Sequence, residues 1–257
     1  MDVSGTGKRR HEGTRMAPAG GGFGRGTGMR LAAALVHVFT GLGAVCALMA
    51  ALSVAEREWE NVFLWLGAAF LIDGIDGTFA RIVKVKEQLP RFSGETLDLV
   101  VDYVTYVFVP VLALLAAGIL DGALGLTLAF LILLSSLYHF MDNDSKAEDL
   151  SFVGFPAIWN IVAFYLFAFS VPAGFAAMLI LLCVLLTFVP MKWVHPLRVA
   201  HLWVPTAIAT ILWSIAGLGI TLDGFATAPA WAKVVLIGVL VYGVGLAVLP
   251  YLGGKAR

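Results

Sequence analysis

Charge is scarce in this chain. Only 13% of its 257 residues are Asp, Glu, Lys or Arg, against about 25% in an ordinary soluble domain. So few charges cannot cover the surface of a water-soluble fold of this length. Cysteine is rarer still: Cys46 and Cys183 each sit inside an apolar run with no second thiol nearby. That excludes a disulfide framework or a zinc pair, and both read as packing residues. Net charge is zero, so the total points to no nucleic-acid partner. No internal repeat is visible.

What the chain has in excess is apolar residues, 60% of the total. From residue 30 onward they form successive runs of about 20, each long enough to cross a hydrocarbon core about 30 Å thick. The expected spans are roughly 31–55, 61–82, 96–118, 122–141, 155–170, 173–190, 201–221 and 230–252. The architecture predicted is therefore an all-α polytopic membrane protein of about eight transmembrane helices. The fifth span is the weakest, being short and interrupted by Pro156 and Asn160. Membrane helices tolerate proline where neighbours satisfy the freed carbonyl. Residues 1–29 are glycine-rich and basic, with too little apolar surface to fold, and are expected to be a disordered tail preceding a membrane-embedded catalytic domain over 30–257. Arg9-Arg10 runs into glycine and the apolar segment after Arg30 is too long for a signal h-region, which argues against a secretory leader.

Lys and Arg set the orientation, because basic loops are retained in the cytoplasm. With the N-terminus inside, that side receives fifteen of the seventeen, and the other keeps only Arg57 and Lys233. Both termini and the loops 83–95, 142–154 and 191–200 are expected to be cytoplasmic.

The second span ends Asp73-Gly74-Ile75-Asp76-Gly77-Thr78-Phe79-Ala80-Arg81, and the third opens Gly94-Glu95-Thr96-Leu97-Asp98-Leu99-Val100-Val101-Asp102-Tyr103. Spacings of three and four place Asp73 with Asp76, and Asp98 with Asp102, on one face of each helix. The short connection makes these helices antiparallel neighbours, so the four carboxylates converge at one depth. Four buried like charges are prohibitive unless neutralised, and intramembrane acids are functional by default. Carboxylate oxygens suit Mg²⁺ or Mn²⁺, and four can hold two ions about 3.5–4 Å apart, the clamp used in phosphoryl transfer. Gly77 and Ala80 leave room for a ligand, while Arg81, Lys84 and Lys86 suit phosphate charge.

The pattern Asp73-x2-Asp76-Gly77-x2-Ala80-Arg81, then Gly94-x3-Asp98-x3-Asp102, resembles the signature of the CDP-alcohol phosphotransferase family at all eight fixed positions. The gap of twelve residues between Arg81 and Gly94, longer than in most members, looks like the bacterial phosphatidylcholine synthase branch. So do Phe152-x-Gly154-Phe155-Pro156-Ala157-x-Trp159-Asn160, Val189-Pro190 and His195-Pro196-x-Arg198. The resemblance implies six core helices around the site with two more at the C-terminus, usually a homodimer, in the bacterial inner membrane with the site facing the cytoplasm. It implies CDP-diacylglycerol as substrate, its cytidine against Gly77, Ala80 and Gly94 with Thr40 a further contact. Asp73, Asp76 and Asp98 are carried over as metal ligands, and Asp102 as a ligand and the general base. Choline is the implied acceptor, with CMP released. Serine or glycerol 3-phosphate is the alternative acceptor, and a cation transporter the alternative from another class. A transporter would spread acids along a path through the bilayer, whereas these cluster near one surface.

A quaternary ammonium is held by aromatic faces. Tyr103, Tyr106 and Trp159 are the first candidates for the choline pocket, with Tyr138, Phe155 and Trp193 also within reach of the cytoplasmic ends. His37, His139, His195 and His201 lack metal-ligand spacing and read as packing or interface residues. The stretch Asp142, Asp144, Glu148, Asp149 reads as a solvated loop.

Overall fold

The structure, a computed structural model, describes residues 22–142, 152–189, 192–193 and 202–252. The tail over 1–21, the acids Asp144, Glu148 and Asp149, Pro190, His195, Arg198 and His201, and the basic residues Lys146, Lys255 and Arg257 lie outside the described residues. So does the side chain of Trp193.

The chain is all-α apart from one short strand pair. In order come α1 (Gly22–Glu56), α2 (Trp59–Val83), the single turn α3 (Val85–Gln88) and α4 (Gly94–Asp102). α4 continues without a break through a π-helical turn, Tyr103–Phe108, into α5 (Val109–Ala116). Then follow α6 (Gly122–Met141), β1 (Phe152–Val153), α7 (Trp159–Ala168), α8 (Ala173–Thr187), β2 (Lys192–Trp193), α9 (Trp203–Asp223) and α10 (Ala230–Leu252). Strands β1 and β2 pair antiparallel, Phe152 opposite Trp193.

Among the described residues, six helical segments are long and apolar enough to cross a membrane: 27–56, 59–83, 94–116, 122–141, 203–223 and 230–247. The fifth and sixth expected spans are shorter than predicted. Helix α7 has 10 residues and α8 has 15, or about 15 and 22 Å at 1.5 Å per residue. Proline explains α7. Its ring disfavours the helical conformation for Phe155 before it, and Ala157 takes φ +55°, so the chain stays extended until Ile158. At the other end α1 begins at Gly22, inside the expected tail, because a helix already nucleated adds a hydrogen bond for each further residue fixed.

Small residues set how closely the helices approach. Along α1 the buried positions include Ala33, Val36, Thr40, Gly43, Ala47, Ala50 and Val54, a stripe at steps of three and four. A Cβ on Gly43 would stand 2.5 Å from Val101 Cγ1 of α4, so only glycine admits this contact, as at other membrane helix interfaces. The inward stripe of α2 runs Val62, Leu66, Ala69, then Asp73 and Asp76. The same face that packs the core thus presents the acids.

Aromatic rings lock the opposite end. Phe63 of α2 meets Phe164 and Phe167 of α7 and Phe225 of the α9–α10 turn at centroid separations of 5.3, 5.2 and 5.3 Å, all edge-on, the arrangement the ring quadrupoles favour. Trp59 joins at Phe167, and the Phe225 N–H donates to Glu60 Oε1 at 3.2 Å. The α1–α2 turn, the C-terminal end of α7 and the α9–α10 turn therefore share one level. Arg57 lies in the α1–α2 turn and Lys233 in the first turn of α10 at this level, whereas Arg81 is in the last turn of α2 at its far end and Lys84, Lys86 and Arg91 follow in the connection to α4. Helices α9 and α10 are tied to α7 through Tyr165, whose hydroxyl donates to the Leu236 carbonyl at 2.9 Å and accepts the Trp213 indole N–H at 3.2 Å.

Candidate active site

Helix α2 ends where Lys84 turns left-handed, φ 55°, its N–H closing on the Arg81 carbonyl. After the single turn α3, the chain re-enters at Ser93, which caps α4 by accepting the Thr96 N–H at 3.1 Å. Such a cap satisfies an orphan donor of the first helical turn. This reversal sets the last two turns of α2 beside the first two of α4.

The structure draws together three of the four predicted acids. Carboxylate oxygens of Asp73, Asp98 and Asp102 lie within 4.8 Å of one another, all three residues half-buried. Asp76 is placed differently. It is buried, 5% exposed, and its Oδ2 accepts the Thr40 hydroxyl at 2.6 Å, a charge-assisted contact to α1. The expected single convergence of four is thus a cluster of three with a fourth held one turn further along α2. Three acid side chains from two helices, with oxygen donors alone, suit a hard divalent cation such as Mg²⁺ or Mn²⁺, and the donor set of this site fits one.

Beside the acids opens a cavity of about 560 Å³. Its wall includes all five of the residues predicted for nucleotide and phosphate, Thr40, Gly77, Ala80, Arg81 and Gly94, together with Asp76 and Asp98. Lys84 and Lys86 line its rim. Their partners there are weak: Lys84 pairs with Glu87 and Lys86 with Glu95, each at 3.5 Å and well exposed, the kind of surface pair worth little. The Arg81 guanidinium rests on the Thr78 hydroxyl at 3.0 Å.

Of the cavity residues outside the predicted nucleotide and phosphate set, two have rings. His37, one turn before Thr40, also lines the wall, and a Cβ on Gly94 would press its ring at 3.0 Å from Cε1. Its Nε2 is buried without a hydrogen-bond partner, a state that costs about 1–3 kcal/mol. The histidine read as a packing or interface residue thus also forms part of the cavity wall. Phe92, 58% exposed, is the second. The signal for His37 was its spacing from Thr40, three residues along one helix face.

The three aromatic candidates for choline each have a polar partner within the protein. Trp159 is fully buried, and its indole N–H donates to Ser136 Oγ at 2.8 Å. It packs edge-on against Phe155, so its faces belong to the core. The Tyr103 hydroxyl donates to the Leu133 carbonyl of α6 at 3.2 Å. Tyr106 is buried, and its hydroxyl donates to Asp73 Oδ2.

A polytopic all-α membrane protein with an acid cluster beside a cavity at one end of its bundle is the class these features define. No protein-family model matches the chain. Comparison with curated proteins is specific. The chain is 46% identical over 196 residues to a phosphatidylcholine synthase of Bradyrhizobium diazoefficiens, covering 76% of this chain and 73% of that protein. It is 38% identical over 224 residues to the phosphatidylcholine synthase of Agrobacterium fabrum, covering 86% and 92%, and 40% identical over 181 residues to that of Pseudomonas aeruginosa, covering 70% and 76%. The chain belongs to the phosphatidylcholine synthase family.

Proposed function

We propose that this chain transfers the phosphatidyl group of CDP-diacylglycerol to choline, forming phosphatidylcholine and releasing CMP, in the manner of the CDP-alcohol phosphotransferases. The observation that carries the reading is Asp98, which belongs both to the carboxylate cluster and to the cavity wall. A group seated in the cavity thus has its reacting phosphate next to the acids.

The cytidine and its pyrophosphate occupy the cavity, against Gly77, Ala80 and Gly94, with His37 and the Thr40–Asp76 pair in the wall. Arg81, Lys84 and Lys86 hold phosphate charge at the mouth. Asp73, Asp98 and Asp102 hold divalent cations, with Asp76 extending the set toward the nucleotide. When bound, two such ions offset charge on the pyrophosphate and on the departing phosphate. The oxygen of the choline hydroxyl forms a bond to the phosphorus bearing diacylglycerol as the bond from that phosphorus to the CMP oxygen breaks. Asp102 accepts the hydroxyl proton, late in the step because a carboxylate is a weak base toward an alcohol. No covalent intermediate with the protein is required. The acid end of the bundle, with Arg81, Lys84, Lys86 and Arg91, faces the cytoplasm of a bacterial inner membrane, where the basic connection is retained.

The test is product identity. Purified protein is incubated with CDP-diacylglycerol and Mn²⁺ or Mg²⁺, with choline, serine, inositol or glycerol 3-phosphate added separately. Phosphatidylcholine and equimolar CMP are expected from choline alone, and EDTA abolishes both. Phosphatidylserine or phosphatidylglycerophosphate as the main lipid overturns the choline assignment. Full turnover in metal-free buffer overturns the role of the cations.

A further inference from the structure

We infer that Tyr106 is a positioning residue: its phenol hydroxyl fixes the Asp73 carboxylate for the divalent cation. The inference rests on the reading of Asp73, Asp98 and Asp102 as cation ligands. It starts from the π-helical turn Tyr103–Phe108, which follows Asp102 directly. Along an α-helix, positions eight apart such as Asp98 and Tyr106 diverge by roughly 80° at 3.6 residues per turn. A π turn closes i to i+5, takes more residues per turn and so reverses part of that rotation. Tyr106 therefore comes back to the side on which Asp98 and Asp102 face α2, and its hydroxyl donates to Asp73 Oδ2.

The ring is clamped. Tyr106 is 8% exposed and tilts against Phe70 of α2 at 6.2 Å between centroids. Phe70, just under one turn before Asp73, is backed in turn by Trp213 of α9. A hydroxyl on a ring held from the helix that carries Asp73 has little freedom to leave its carboxylate. Thr40 stands in the same relation to Asp76, so each acid of α2 has a hydroxyl donor from a different helix. Outer hydrogen bonds of this kind orient ligating carboxylates, and losing one weakens metal affinity about 10- to 100-fold.

The experiment titrates the purified full-length chain in detergent with Mn²⁺, reading free ion by its paramagnetic resonance with no substrate present. Tyr106→Phe removes only the hydroxyl and is expected to raise the Mn²⁺ dissociation constant about 10-fold or more. Tyr103→Phe, in the same π turn but bonded to the Leu133 carbonyl, leaves it unchanged. Wild-type binding that Asp98→Asn abolishes, together with an unaltered constant in Tyr106→Phe, overturns the role of Tyr106 and keeps the cation reading. Equal weakening in Tyr103→Phe also overturns it, since packing of the turn would then be the cause. Wild-type protein that binds no Mn²⁺ overturns the cation reading and the positioning role with it.

Discussion

At one end of the bundle Phe63, Phe164, Phe167 and Phe225 interlock from α2, α7 and the α9–α10 turn, with ring centroids 5.2 to 5.8 Å apart. At the other, the same α2 carries Asp73 and Asp76 toward α1 and α4, and the helices part around a cavity of about 560 Å³. Both ends use one stripe of one helix. The aromatic end gains from close packing, whereas the other end gathers three half-buried carboxylates whose oxygens lie within 4.8 Å of one another. Rigidity supplied at the first end is what lets the second hold an arrangement that would otherwise relax.

The comparison breaks first at the acids. Asp98→Asn is expected to lower turnover on the order of 10³-fold, about 4 kcal/mol of transition-state stabilisation, with the thermal midpoint in detergent unchanged or higher because one like charge is gone. Equal loss of folding and activity would mean that the acid end is structural.

Phe164→Ala probes the opposite end. Deleting a buried ring costs about 3–5 kcal/mol when the site cannot collapse, so the midpoint should fall steeply while turnover of the folded fraction stays near normal. A lowered turnover with unchanged stability would reverse the assignment of the two ends.

Thr40→Val keeps the shape of the side chain and removes the donor to Asp76. A hydrogen bond to a charged group is worth about 1.5–3 kcal/mol, so the KM for CDP-diacylglycerol should rise about 10-fold or more with that for choline little changed. A change confined to choline would move Thr40 out of the nucleotide site. The smallest effect is expected from Glu60→Gln, which weakens the bond from the Phe225 N–H by about 0.5–1.5 kcal/mol. It should be visible as a small drop in midpoint and invisible in kinetics.

Much of the site could be read from spacing. Asp73, Asp98 and Asp102 meet as their steps of three and four on two helices suggest, while Thr40, Gly77, Ala80, Arg81 and Gly94, grouped by the family resemblance together with local charge and size, line one cavity. Asp76 departs from the expected foursome because a neighbouring helix offers it a hydroxyl, a partner 36 positions away that α2's own pattern does not contain. Tyr103, Tyr106 and Trp159 were candidates for choline on chemistry and proximity in sequence. Each also has a partner for its polar atom within the protein, because burial leaves an unpaired hydroxyl or indole N–H costly, and those partners lie on other helices that local spacing does not record. Helix lengths departed from expectation at α1, α7 and α8, most clearly at α7, where Ala157 at φ +55° follows the proline and delays the helix.

The amino-acid sequence by itself determined that this chain lives in a membrane, where its helices lie and which faces carry acids, since these depend on apolar length and on a period of 3.6 that every residue obeys locally. Tertiary structure alone decided which acids gather, which hydroxyl orients each of them and where His37 is left unpaired. Those outcomes turn on a single π turn after Asp102 and on the close approach of α1 and α4 at Gly43. Rotations and separations of that size are set by how whole helices pack against one another, and no local pattern records them.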